Sequence, residues 1–155
     1  MATWKQFEQE APELAAAVRA RFEATKHHVL ATLRRDGSPR VSGTEVQFAG
    51  DDLTLGSMPG AVKARDLQRD SRFALHANPG DGSMEAGDAK VAGLAVEITG
   101  TSAAPPDVAR QPGAPPSHFF RLDLTEAVVT SVEGGEYLLI QTWRPGAAVQ
   151  SVRRT

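Results

Sequence analysis

Cysteine is absent from the 155 residues, and its absence excludes several kinds of site. The chain cannot form a disulfide framework, use a thiolate nucleophile or bind a zinc or iron–sulfur centre through sulfur. An excess of positive charge is also missing, since the net charge is -2 and the basic residues are spread along the chain. Without a basic cluster to neutralise a row of phosphates, we expect no nucleic-acid partner.

Long apolar runs are missing near the start of the chain. A secretory signal needs an uninterrupted apolar core, which residues 1–30 do not contain. Charged side chains interrupt every apolar stretch there, namely Lys5, Glu8, Glu10, Glu13, Arg19 and Arg21. We therefore expect a cytoplasmic protein with no membrane partner.

Several familiar catalytic and nucleotide-binding motifs are missing as well. The sequence has no Gly-x-x-x-x-Gly-Lys-Ser/Thr loop, no Gly-x-Gly-x-x-Gly after a strand and no Gly-x-Ser-x-Gly elbow. His27 and His28 are adjacent, so in a strand they point to opposite faces, while His76 and His118 stand alone. The histidines are better interpreted as structural or solvated than as ligands, and no metal site is predicted.

The overall composition is that of an ordinary globular protein. Hydrophobic residues make up 41% of the chain and charged residues 23%, and no internal repeat is visible. The length suits one domain, so residues 1–155 are predicted to form a single unit.

Two segments are predicted to be helical. Pro12 and Glu13 suit a first helical turn, and apolar residues then recur at every fourth position, at Leu14, Val18 and Phe22. The second helix runs from 61 to 69, with Ala61, Ala64 and Leu67 on its apolar side. The other side offers charged groups to solvent or a ligand, which are Lys63, Arg65, Asp66 and Arg69.

Short strands separated by turns account for most of the rest. They are predicted at 29–33, 40–48, 53–55, 73–76, 90–101, 119–132 and 137–143. Asp36-Gly37 marks a hairpin, residues 102–117 form a surface connection, and Pro145-Gly146 opens a tail. The pattern predicts a mainly β fold: a closed antiparallel barrel of six or seven strands with flanking helices.

The loop Gly56–Lys63 is the clearest candidate for chemistry. Small residues lead into a helix whose first turn carries Lys63, and Ser57 supplies a hydroxyl. Free backbone N–H groups, the helix dipole and a full positive charge favour a phosphate there. The alternative is that Gly60 caps a surface helix and Lys63 is solvated.

The order of these elements resembles the pyridoxamine phosphate oxidase-like superfamily of flavin- and deazaflavin-dependent oxidoreductases. The similarity spans about residues 27–144 and is strongest over 53–75, where Lys63–Leu67 matches the Lys-x-x-x-Leu helix. The resemblance implies a split β-barrel homodimer of the FMN-binding type with its cofactor at the subunit interface. The ending at 142–146 looks like the deazaflavin-using branch, and an Arg-Leu-His triplet of true pyridoxamine phosphate oxidases is missing around 137–139.

Carried over by position, the resemblance implies a set of cofactor-binding residues and no catalytic ones. Lys63 keeps the phosphate role, Arg40 is a second cation, and Trp143 and Arg144 wall the site from the partner subunit; the alternative for Trp143 is a place in the core. The full set is Arg40, Val41, Ser42, Gly43, Thr44, Gly56, Ser57, Met58, Val62, Lys63, Lys90, Trp143 and Arg144. The implied cofactor is the deazaflavin coenzyme F-420 or FMN, and the implied activity is hydride transfer to a small conjugated or heteroaromatic substrate.

Two other functions stay open. The chain could be a non-catalytic flavin carrier or sensor of the same fold. It could also bind or degrade haem, which would need His76, His118 or one of the His27-His28 pair as an axial ligand.

Overall fold

A computed structural model describes residues 1–80, 83–98 and 117–155. Within these ranges the chain forms three helices and one antiparallel sheet of nine strands. The helices are α1 (Trp4–Glu10), α2 (Pro12–Ala24) and α3 (Val62–Arg69). The strands are β1 (His28–Leu33), β2 (Pro39–Thr44), β3 (Val46–Ala49), β4 (Asp52–Ser57), β5 (Arg72–His76), β6 (Asp88–Glu97), β7 (His118–Glu133), β8 (Tyr137–Trp143) and β9 (Gln150–Arg154).

The strand order explains why the sheet curls. The main path runs β2-β1-β5-β6-β7-β4-β3, with β8 and β9 branching from β7. β2 and β3 lie at opposite ends of this path, yet only Glu45 separates them in the chain. The sheet must therefore bend until its two ends meet, and no strand pairing joins those ends in the described part of the chain. We call this gap between β2 and the β3–β4 pair the seam.

The long strand β7 holds the sheet together. Its first part pairs with β4, its last part with β8, and β6 runs along most of its length. At Gly93 the β6–β7 register shifts, and a Cβ there would lie 1.8 Å from the carbonyl oxygen of Asp123. Only glycine permits so close an approach of the two backbones.

The first two helices extend the core. Thr3 caps α1 by accepting a hydrogen bond from the Gln6 amide, and the turn at Ala11 leads directly into α2. Phe7 on α1 stacks on Trp143 with ring centroids 4.5 Å apart, and both side chains are fully buried. Burial of this size is a large apolar contribution to stability.

The mainly β architecture predicted from the sequence is confirmed, with differences in detail. The strands number nine rather than six or seven, because 40–48 divides into β2 and β3 and the tail contains β9. The segments predicted over 119–132 form one continuous strand, and α1 was not predicted. The helix predicted from Pro12 through Phe22 is present as α2, and the one predicted over 61–69 is present as α3.

Strand β6 shows a further difference. The sequence has a continuously apolar row at Ala92, Leu94, Val96 and Ile98, yet the buried row is the alternate one, which contains Ala89, Val91, Gly93 and Ala95. The predicted end of this strand at 99–101 and the connection up to residue 116 lie outside the described residues.

No helix among the described residues is long and apolar enough to span a membrane. The cytoplasmic location expected from the sequence stays a prediction.

Candidate cofactor cavity at the seam

A cavity of about 420 Å³ opens at the seam. This volume lies within the range of small-molecule and cofactor sites. Strands β2, β3 and β4, the start of α3 and the first residues of β7 all contribute to its wall. The lining residues are His27, Gly43, Thr44, Glu45, Gln47, Thr54, Gly56, Ser57, Met58, Lys63, Ser117 and Phe119.

Lys63 is the one cationic side chain among the described lining residues, if histidine is counted as neutral. Its Nζ donates a hydrogen bond to the Gly43 carbonyl at 2.9 Å, which leaves two of its three N–H donors for a ligand. Burial lowers the pKa of Lys63, and the nearby Glu45 carboxylate partly opposes this effect. The ammonium is thus held at the first turn of α3, a helix that begins without a side-chain cap.

Ser57 contributes a buried hydroxyl group to the cavity wall. The residue is only 7% exposed, and its Oγ has no hydrogen-bond partner in the part of the chain that the structure describes. A buried hydroxyl without a partner is costly, so such an atom is typical of a site completed by a ligand or water. Next to it, Gly56 leaves room beside Phe119, whose ring would lie 3.4 Å from a Cβ at position 56.

The loop between β4 and α3 is fixed by a histidine. Gly60 has a positive φ of 70°, and its N–H donates to His118 Nε2 at 3.1 Å. Since that nitrogen accepts, the ring proton lies on Nδ1, which donates to Glu97 at 3.0 Å. The hydrogen bond from His118 lowers the pKa of Glu97, against the effect of burial. His118 therefore holds the loop that carries Met58.

We expect His118→Ala to loosen this loop, because the Gly60 amide loses its acceptor. A neutral hydrogen bond contributes about 1 kcal/mol, or roughly fivefold in an equilibrium. Amide hydrogen exchange at Gly60, followed by NMR, should be faster by about that factor. His118→Gln retains a side-chain acceptor and is expected to keep most of the protection. Equal exchange at Gly60 in all three proteins would show that His118 does not fix the loop.

Arg40 and Asp66 form an ion pair that orients α3. Arg40 Nε donates to Asp66 Oδ2 at 2.7 Å, Arg69 donates to the other oxygen at 2.9 Å, and Thr32 Oγ1 donates at 2.8 Å. Asp66 is 2% exposed. Burial alone would raise the pKa of Asp66, but the three hydrogen bonds outweigh it and hold the pKa below its usual value. The network ties α3, and with it Lys63, to β1 and β2.

This placement corrects one prediction and bears on a second. Asp66 was predicted to face solvent or a ligand, but it is buried, because two arginines and a threonine supply its partners. Arg40 was predicted as a phosphate cation; its Nε donates to Asp66 and the residue does not line the cavity, so its binding role stays a prediction. From β2, Arg40 supports the site indirectly, because its ion pair with Asp66 helps to position α3 and Lys63.

Six of the thirteen predicted cofactor-binding residues come together in the cavity wall. They are Gly43, Thr44, Gly56, Ser57, Met58 and Lys63. Val41 and Val62 are not lining residues but are exposed, at 69% and 54%. Ser42 alternates with Val41 along β2 and also does not line the cavity. The binding roles of these residues stay predictions.

Three predicted residues lie elsewhere. Trp143 was predicted to wall the site, but it is 0% exposed and belongs to the core against Phe7. Arg144 pairs with Glu126 at 2.7 Å. Lys90 lines a separate cavity of about 320 Å³ on the outer side of the sheet, which β1, β5, β6 and β7 form.

Sequence reasoning did not identify several lining residues. Glu45 ends the stretch 40–45 that the resemblance places along the cofactor, but the set of cofactor-binding residues stopped at Thr44. Phe119 lies opposite Gly56 in the β4–β7 register, which only long-range pairing determines. The others are His27, Gln47, Thr54 and Ser117. In the described ranges, no group of three His, Asp or Glu residues could hold a metal ion.

A family profile described as pyridoxamine 5'-phosphate oxidase matches residues 14–130, which is more than half of the chain. A search of curated proteins found no significant match.

Solved structures with the same fold come from several bacteria. PhzG from Burkholderia lata 383, in complex with tetrahydrophenazine-1-carboxylic acid, superposes with a TM-score of 0.64 at 15% identity, over 93% of this chain and 89% of PhzG. A pyridoxamine 5'-phosphate oxidase-related, FMN-binding protein from Nostoc punctiforme gives 0.63 at 12% identity, over 94% and 96%. A heme binding protein from Mycobacterium smegmatis gives 0.55 at 22% identity, over 88% and 57%. The chain therefore belongs to the pyridoxamine 5'-phosphate oxidase-like family, and its fold is the split β-barrel of that family.

Proposed function

We propose that the chain is an oxidoreductase that binds FMN or the deazaflavin coenzyme F-420 in the seam cavity. One observation carries the proposal: Lys63 and Ser57, whose buried hydroxyl has no partner among the described residues, both line one cavity at the uncapped start of α3. A cation, a free hydroxyl donor and helix N–H groups together suit a phosphate. FMN binding by the Nostoc relative is consistent with this ligand class.

The rim of the cavity supports a homodimer. Met58 lines the cavity and is 79% exposed, and the neighbouring Val41 and Val62 are exposed apolar side chains as well. A cavity that is open beside exposed apolar residues is suited to closure by a second subunit. Gel filtration with light scattering of the cofactor-loaded protein should give twice the mass of one chain, and a loaded monomer would argue against this part of the proposal.

When bound, the flavin or deazaflavin ring supplies the hydride chemistry. The chain's own groups bind and orient: Lys63 and Ser57 hold the phosphate, and Gly56 lets the cofactor approach the β4 backbone. Phe119 contributes an apolar wall. We propose a small conjugated or heteroaromatic substrate, a class consistent with the phenazine derivative bound by PhzG. Oxidation of vitamin B6 is not proposed, because the Arg-Leu-His triplet expected of true pyridoxamine phosphate oxidases is missing around 137–139.

Titration of the purified chain with FMN and with F-420, followed by fluorescence, tests the binding step. Saturable binding of either cofactor supports the proposal, and no binding of either one overturns it. Steady-state reduction of heteroaromatic test compounds by the reduced cofactor then separates an enzyme from a carrier or sensor, which would bind without turnover.

Binding should weaken at alkaline pH. Because burial lowers the pKa of Lys63, its ammonium is lost at a pH below the usual lysine range. Affinity should be full below that lowered pKa and fall as the pH rises through it. The Lys63→Arg variant stays charged and should remain flat over the same range. Parallel affinity curves for the two proteins would contradict this role for Lys63.

Haem binding is the weaker alternative. His118 and His28 are both engaged in hydrogen bonds, with the Gly60 and Asn78 amides respectively, and His76 contacts the Ala77 carbonyl. His27 lines the cavity, but its side chain is 73% exposed. A Soret band that forms on adding haem and is lost in one His→Ala variant would favour this function.

A further inference from the structure

The charged residues around the seam cavity bear on which flavin-type cofactor it binds, an inference that rests on the proposed function. Lys63 is the one lysine or arginine among the described lining residues, and the residue before it, Val62, carries no charge. Arg40 donates through Nε to the buried Asp66 and does not line the cavity. The described lining residues therefore offer one cation to a phosphate.

A carboxylate faces the same space. Glu45 lines the cavity two residues after Gly43, the residue whose carbonyl accepts the hydrogen bond from Lys63. Its side chain is 51% exposed, and its Oε1 lies 3.7 Å from Lys26 Nζ and 3.9 Å from His27 Nδ1. Lys26 is 74% exposed, so solvent screens its charge, and it does not line the cavity.

The balance of one cation against one carboxylate limits the anionic charge that the cavity can hold. The desolvation cost of an ion rises with the square of its charge, whereas its attraction to one lysine rises only in proportion to the charge. Repulsion by Glu45 also doubles from a singly to a doubly charged phosphate. A phosphomonoester is largely a dianion at neutral pH, since its second pKa is about 6. A phosphodiester carries one charge.

We propose that Glu45 is a specificity-determining residue that makes the cavity select a flavin-type cofactor bearing a phosphodiester over one bearing a phosphomonoester. FMN carries a phosphomonoester, and F-420 carries a phosphodiester, so the selection distinguishes the two cofactor classes. Lys63 binds either group, and Glu45 determines how much a second negative charge costs.

Two ligands with the same ring test this inference: FMN and the cyclic phosphodiester of riboflavin. Their affinities for the wild-type chain and for Glu45→Gln are measured by fluorescence quenching at pH 8, where FMN is fully dianionic. The wild-type chain should bind the cyclic diester at least threefold more tightly than FMN. In Glu45→Gln we expect FMN to gain roughly fivefold and the diester roughly twofold, the scale of unit-charge repulsion in water. Each gain compares two proteins with the same ligand. The difference in shape between FMN and the diester therefore cancels when the two gains are compared.

A matched control removes the same charge elsewhere. Glu136 is exposed in the turn between β7 and β8. The Glu136→Gln variant should therefore bind FMN and the diester with unchanged affinities. Equal gains for both ligands in Glu45→Gln, or tighter binding of FMN than of the diester by wild type, would overturn the inference and leave flavin binding intact. Failure of wild type to bind either ligand would instead overturn the proposed function.

Discussion

Replacing Lys63 with alanine is expected to weaken flavin binding by about 1.5 to 3 kcal/mol, which is roughly 10- to 150-fold in Kd. The reason is that a charge-assisted hydrogen bond to the phosphate is lost from a partly buried position, where solvent replaces it poorly. No other cationic side chain among the described residues lines the cavity. Fluorescence titration or calorimetry with FMN or F-420 measures the change directly.

Two controls separate this effect from a general change in charge. Lys63→Arg keeps the positive charge and should lose much less affinity. Lys5→Ala removes the same charge from an exposed ion pair with Asp51, where the Lys5 side chain is 55% exposed, and should have no effect on binding. If Lys63→Ala bound as tightly as wild type, Lys63 would not hold the phosphate.

Replacing Asp66 with asparagine is expected to destabilise the fold by about 2 to 4 kcal/mol. The shape of the side chain is kept, but Arg40 and Arg69 lose the carboxylate that both of them contact. We place the effect toward the lower part of the range for broken buried ion pairs, because the arginine side chains are 27% and 33% exposed. Urea denaturation should show a lower midpoint with an unchanged m-value.

The exposed pair of Asp70 and Arg72 provides the comparison. Its geometry is equally close, at 2.7 Å, and hydrogen bonds from Arg72 hold the pKa of Asp70 at about 2. Arg72 is nevertheless 68% exposed, so solvent screens the pair and Asp70→Asn should leave the urea midpoint close to that of wild type. An Asp66→Asn variant as stable as Asp70→Asn would show that the buried network does not hold α3 in place.

Local signals in the sequence were enough to predict the segment that forms the cavity. The Gly56–Lys63 loop could be identified because small residues, a proline and a lysine stand where a strand ends and a helix begins. Helix α2 could be identified from its apolar spacing and its proline in the first turn. These features depend on neighbours a few residues away.

The incorrect predictions concern residues whose partners are distant in sequence. Asp66 lies among charged residues on α3, and two of the three side chains that make its burial favourable, Thr32 and Arg40, stand about thirty residues earlier. Trp143 is the last residue of β8, and Phe7, near the other end of the chain, stacks on it. Neither contact leaves a local pattern.

The division of 40–48 into two strands has the same origin. The chain changes from one end of the sheet order to the other at Glu45, because β2 pairs with β1 and β3 pairs with β4. No glycine or proline stands at that residue. Strand β9 was not predicted because all five of its residues are exposed, so it has no alternation of apolar and polar residues and is held by pairing with β8.

The most direct test of the central claim is a crystal structure of the chain with FMN or F-420 bound. The proposal predicts density for the phosphate in the seam cavity, within hydrogen-bond distance of both Lys63 Nζ and Ser57 Oγ, with the ring along β2 and β4. A phosphate bound elsewhere, or a seam cavity in which Ser57 and Lys63 contact only water while the cofactor occupies another site, would contradict it.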